Sequence, residues 1–112
     1  MNRVMDAIIE DDPVLKSFRT AVRAAYGDRL QRALLYGSRA RGDARPDSDY
    51  DIAVFLHGIE SRWEEMKHLA DISTDILDAT GEVIHATPFG PGALEERTLL
   101  VHEIRKDGRD LL

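Results

Sequence analysis

Ten residues separate two segments that leave this chain little freedom: Leu34-Leu35-Tyr36-Gly37-Ser38, and Asp49-Tyr50-Asp51-Ile52-Ala53-Val54-Phe55-Leu56. The first reads as a strand running into a Gly-Ser turn. The second reads as a strand that opens with two aspartates one residue apart. Side chains at i and i+2 of a strand share a face, so Asp49 and Asp51 place two carboxylates side by side. Two such groups repel unless something cationic lies between them. A hard divalent cation takes oxygens of this kind, and a cation held there can bridge to the phosphates of a nucleotide. Gly37 turns the chain without a Cβ in the way of a ligand. Ser38 can cap a short helix over Arg39, Ala40 and Arg41 up to Gly42, whose free N–H groups would point at anionic oxygens. The combination reads as a nucleotide-plus-metal site.

The surrounding chain supports an α/β arrangement. Asp12-Pro13 is a helix start, with Asp12 as N-cap and Pro13 at the first helical position. Val14, Leu15, Phe18, Val22 and Ala25 follow at helical spacing, and Gly27 is a stop signal. Arg32 to Tyr36 and Asp49 to Leu56 form two strands. Ser61-Arg62-Trp63-Glu64 matches a capping box. Behind it Met66, Leu69, Ala70, Ser73, Ile76 and Leu77 make an amphipathic stripe ending near Gly81. Glu82 to Thr87 reads as a third strand, Pro88 to Gly92 as loop, and Ala93 to Lys106 as a last helix ended by Gly108. No repeat, low-complexity segment or linker interrupts residues 1–112, which predicts a single domain.

Composition narrows the function classes. The chain has 112 residues and no cysteine, so a disulfide framework and thiol catalysis are excluded, and the cytoplasm is favoured. No apolar run approaches the roughly 20 residues of a membrane span. The start, Met1 to Asp6, lacks the apolar core of a secretory leader. A net charge of −6 argues against a broad basic surface for nucleic acid. The charge is unevenly placed, however. Between Arg32 and Arg45 stand Arg32, Arg39, Arg41 and Arg45 against the single acid Asp43, whereas Pro46 to Asp51 carries three acids and no base. A positive patch beside a negative cluster suits a triphosphate with its metal; the bland reading is a solvated loop with local ion pairs.

Gly37-Ser38, ten residues, then Asp49-x-Asp51 opening a strand resembles the DNA polymerase β-type nucleotidyltransferase superfamily. Within it, the chain's length and its ending from Thr98 to Leu112 are similar to the minimal nucleotidyltransferases (MNT). The resemblance implies a palm-like α/β (α+β) fold, a small mixed sheet of three to four strands flanked by helices. It implies two Mg²⁺ ions held by Asp49 and Asp51, ATP as substrate, and phosphates held by Gly37 and Ser38 with help from Arg39 or Arg41. It also implies a third carboxylate from a neighbouring strand, for which Glu82 is the candidate and Asp78 the alternative. Glu82 departs from the family's usual Asp by one methylene, so a site that binds nucleotide without efficient catalysis is a consistent outcome. Minimal nucleotidyltransferases pair with small helical HEPN proteins as toxin–antitoxin modules, the nucleotidyltransferase being the antitoxin that transfers AMP to a tyrosine hydroxyl.

Three functions follow. The first is transfer of a nucleoside monophosphate, AMP from ATP, to a hydroxyl on a HEPN-type protein partner. The second is a non-catalytic antitoxin that neutralises its partner by contact. The third is transfer to a small molecule or an RNA end. His57, His68, His85 and His102 show no metal-ligand spacing and read as surface or strand residues, and Trp63 as a packing or partner residue.

Overall fold

The computed structural model describes residues 3–112; Met1 and Asn2, where the stretch read as lacking a leader core begins, lie outside them. Alternation along each strand sorts side chains between two cores. In β1 (Leu30–Tyr36), Ala33 and Leu35 face one side of the sheet and Leu34 and Tyr36 the other. In β2 (Tyr50–Leu56), Tyr50, Ile52, Val54 and Leu56 face the first side, and Ala53 and Phe55 the second. The two strands pair antiparallel with Tyr36 opposite Asp51. β3 (Ile84–Phe89) joins β2 in parallel, and the short β4 (Arg109–Asp110) joins β1 antiparallel, giving the order β3-β2-β1-β4. This is the expected small mixed sheet, with four strands.

Helices cover the two faces unequally. α1 (Arg3–Asp11), α2 (Pro13–Tyr26) and α4 (Arg62–Thr80) bury the larger core against the first face, through Met5, Ile9, Leu15, Phe18, Val22, Leu69 and Ile76. Phe18 and Val22 are fully buried, and each such side chain stabilises the fold by roughly 1.5–3 kcal/mol. The second face carries α5 (Leu99–Asp107), whose Val101 and Ile104 pack with Leu34, Ala53, Phe55 and Phe89. Phe55 and Phe89 stack at 5.4 Å. Apolar cover does not extend to the start of β2, where Asp51 is half-buried and Asp49 is exposed.

Local chemistry explains the boundaries. Asp12 Oδ1 accepts from Val14 and Leu15 N–H at 2.8 and 3.3 Å and starts α2. Ser61 Oγ accepts from Glu64 N–H at 3.3 Å and starts α4, which Gly81 stops at φ 78°.

Several elements differ from the sequence reading. α1 was not anticipated, because only Met5 and Ile9 of its nine residues are buried. β1 begins at Leu30 rather than Arg32, and Ala25 is exposed while Tyr26 takes the buried place. β3 begins at Ile84 instead of Glu82 and runs through Pro88, which an edge strand accommodates because one side of it pairs with no other strand. The last helix does not begin at Ala93: residues Ala93–Glu95 make a 3₁₀ turn, and Thr98 Oγ1, accepting from Val101 N–H at 3.1 Å, starts α5. In α4 the buried line is Glu65, Leu69 and Ile76, leaving Met66 and Leu77 more than 40% exposed.

Candidate nucleotide and metal site

The site is built where β1 ends and β2 begins. Gly37 leaves β1 at φ 74°, and α3 (Ser38–Arg41) follows at once, closed by Gly42 at φ 86°. A Cβ on Gly37 would lie 2.6 Å from Asp51 Oδ2. The glycine is therefore required twice, for its backbone and for the carboxylate that fills the space beside it. Ala40 and Arg41 N–H donate to Gly37 O at 3.1 and 3.0 Å, which folds the turn back onto the strand end.

Asp49 and Asp51 stand on the sheet face shared with Tyr36, Ala53 and Phe55, away from the larger core. Among the described residues neither carboxylate accepts a hydrogen bond. Burial holds the Asp51 carboxyl above the usual aspartate range; His85 opposes that rise, Asp49 and Glu103 add to it, and Arg41 opposes it. Tyr36, paired with Asp51 across the ladder, is likewise raised by burial first and by Asp51 second. A carboxylate without donors, facing a second carboxylate, is a group that a cation would relieve. Its hard oxygens suit a divalent ion such as Mg²⁺. Yet among the described residues no three His, Cys, Asp or Glu side chains converge on one point. The pair fits a metal; the rest of its shell would come from elsewhere.

The other expected site residues are dispersed. Arg39 does not face the carboxylates: its Nε and Nη2 donate to Ser48 O at 3.1 and 2.8 Å, and its guanidinium lies 4.2 Å over the Tyr50 ring on the opposite sheet face. Glu82 goes with it. Its Oε2 is 3.5 Å from Arg39 Nη2, and it precedes β3 in step with Ile84, which points into the larger core. Neither residue is brought to the pair. Arg41 is tied to Asp43 at 3.1 Å and to Asp107 at 2.9 Å, yet its charge reaches Asp51. Asp78 lies in the last turn of α4, exposed.

Residues that the sequence did not single out hold this frame. Tyr50 Oη donates to Asp12 Oδ2 at 2.8 Å, so the carboxylate that caps α2 also anchors the start of β2. Arg109 Nε donates to Ala40 O at 2.9 Å, fastening α3 from the far end of the chain. His85 stands opposite Asp51 in the β2–β3 register, its Nε2 3.6 Å from Asp49 Oδ2. Counting alternation along β3 from the aspartate-bearing neighbour would have marked it.

Comparison with known proteins identifies the family and the fold. The profile of the family described as Polymerase beta, Nucleotidyltransferase matches residues 24–111. A candidate protein adenylyltransferase of Methanocaldococcus jannaschii is 30% identical over 78 residues, 70% of this chain and 72% of that protein. Among solved structures, a toxin–antitoxin complex with AMP-PNP superposes with a TM-score of 0.62 at 20% identity, over 88% of this chain and 72% of the other. A complex of the tri-AMPylated HEPN toxin of Shewanella oneidensis with its MNT antitoxin gives 0.57 at 19% identity, over 88% and 69%. A candidate nucleotidyltransferase of Sulfolobus solfataricus gives 0.60 at 20% identity, over 98% and 87%. At these identities the structural likeness is one of fold.

Proposed function

We propose that this chain, which belongs to the polymerase β-type nucleotidyltransferase family, transfers AMP from ATP to a hydroxyl on a protein partner. The observation that carries the reading is the same-face pair Asp49 and Asp51, without hydrogen-bond donors of their own, packed against a turn that tolerates only glycine. In this reading Asp49 and Asp51 hold Mg²⁺, and the metal supplies charge stabilisation to the triphosphate and alignment to the acceptor. Gly37 and Ser38 offer backbone N–H groups to the phosphates at close range. Arg41 contributes positive potential beside them. The acceptor hydroxyl oxygen bonds to the α-phosphorus as its proton passes to water, the α–β bridging P–O bond breaks, and pyrophosphate leaves. Arg39 and Glu82 serve the loop that aims Asp49 rather than the nucleotide.

The relatives support a protein partner: one bears a protein adenylyltransferase name, and an antitoxin of this fold was solved with an AMPylated HEPN toxin. A HEPN-type protein bearing an acceptor tyrosine is the substrate this reading favours. A second reading has one observation behind it. Since no third ligating side chain converges on the pair, the chain could neutralise such a partner by complex formation with little transfer.

Incubation with ATP, Mg²⁺ and the partner separates the two. Intact-mass spectrometry should find the partner heavier by one or more AMP units, and Asp49→Ala or Asp51→Ala should abolish the gain. An unchanged partner mass alongside a stable, inhibitory complex would establish the second reading instead.

A further inference from the structure

An imidazole stands beside the aspartate pair. β2 and β3 are parallel neighbours, and the register sets Asp51 beside His85. Residues directly paired on adjacent strands project from the same face, with the strands roughly 4.8 Å apart. Asp49, Asp51 and His85 therefore share one patch of sheet, and His85 Nε2 already lies 3.6 Å from Asp49 Oδ2. The His85 side chain is 68% exposed and makes no hydrogen bond to the described residues, so its ring is free to turn toward the carboxylates.

One carboxylate that could compete for this place is otherwise engaged, and another acts on Asp51 only weakly. Glu82 faces the opposite side of the sheet with Arg39. Glu103, on α5, influences Asp51 less than either His85 or Asp49 does. An imidazole changes which ions a site selects. Mg²⁺ keeps to oxygen donors and water, whereas neutral imidazole nitrogen suits first-row transition ions such as Fe²⁺, Ni²⁺ and Zn²⁺.

We propose that the His85 ring, turned from its present position, supplies a nitrogen ligand to the divalent ion held by Asp49 and Asp51, so that the site takes a first-row transition ion more readily than the two carboxylates alone would. The inference rests on the metal-dependent reading above and specifies it further: two carboxylates and one imidazole make the protein's share of the shell. Water and phosphate oxygens fill the remainder.

Direct observation of the ligand nitrogen tests this without reference to turnover. Protein carrying ¹⁵N-histidine and the unlabelled form are each loaded with Mn²⁺ and α,β-methylene-ATP, an analogue with no nitrogen in its phosphate chain. Pulsed electron paramagnetic resonance should detect a coupled nitrogen that changes from ¹⁴N to ¹⁵N with the label and vanishes in His85→Gln. In parallel, calorimetric titration should show His85→Ala losing Co²⁺ affinity on the order of tenfold, with Mg²⁺ affinity altered less than Co²⁺ affinity. Glu82→Ala should leave the nitrogen coupling intact. Absence of histidine coupling in a wild-type protein that still binds Mn²⁺ through its aspartates overturns the assignment. If Glu103→Ala is then the variant that weakens Mn²⁺, Glu103 holds the place. Mn²⁺ affinity that survives Asp49→Ala with Asp51→Ala would instead remove the metal-dependent reading itself, a result distinguishable from failure at His85 alone.

Discussion

Asp51 is a residue that the free protein holds at a disadvantage. Burial raises its carboxyl, and Asp49 and Glu103 add to the rise against His85 and Arg41. The native state thus keeps that proton to a higher pH than the unfolded chain, whose aspartates titrate near roughly 3.9. Stability consequently falls as pH climbs from there through the raised native value, and the charged group remains a cost above it. Asp51→Asn should raise the melting temperature of the metal-free protein at pH 7 and flatten that decline, while abolishing divalent-ion binding. Thermal melts across a pH series check this, and a less stable variant at pH 7 would contradict it. Gly37 makes the reciprocal point. Gly37→Ala places a methyl 2.6 Å from Asp51 Oδ2 at a left-handed φ. The backbone penalty alone is about 1–2 kcal/mol, and the displaced carboxylate should weaken Mg-ATP binding far more than Arg45→Ala does. Equal affinities for the two variants by calorimetry would exclude the close approach.

At the scale of elements, the Gly37-Ser38 turn, the strand behind it and the one that follows Asp49 are legible because glycine, alternation and paired acids each carry a local signal. The remainder depends on what lies across the sheet. Arg39 reads as a phosphate ligand in sequence, but Tyr50 offers its ring face and Ser48 its carbonyl, and those partners win. Glu82 is suggested by its likeness to an acid that relatives carry ahead of apolar strand residues, but it lies before β3, in step with the core-facing Ile84 and paired with Arg39. Pro88 argued for a loop, yet β3 is an edge and tolerates it. Glu65 departs furthest from expectation: an acid in the capping-box turn lies only 5% exposed, paired with Arg29, which also donates to His57 O at 3.1 Å. Arg29 therefore locks the start of β1 to the end of β2 and the start of α4. Removing it leaves a buried charge with one weaker partner, His68 at 3.5 Å. Arg29→Ala should cost about 2 kcal/mol in denaturant unfolding. A loss under 0.5 kcal/mol, the range of ordinary surface changes, would show the pair to be dispensable.

Across the whole molecule, α1 and β4 meet behind the site. Arg109 joins Asp6 at 2.9 Å and Ala40 O at 2.9 Å, Asp107 holds Arg41, and Leu111 donates its N–H to Ala33 O and is buried in the larger core. Leu111→Ala should therefore cost about 2–5 kcal/mol, the usual range for emptying a leucine site. The loss should also be felt at the nucleotide site, as weaker ATP binding, although the mutation touches no ligand. A fully stable variant would mean that β4 is ornament. The same closure has a consequence for synthesis. Gly37, Ser38, Asp49 and Asp51 are made in the first half of the chain, but the strand that fastens α3 to the sheet comes with residues 109 and 110. Whatever is synthesised first, α3 stays without this brace until residues 109 and 110 pair with β1. The carboxylates and the glycine turn are thus encoded early in the chain, while the bracing of that turn waits for residues far along it.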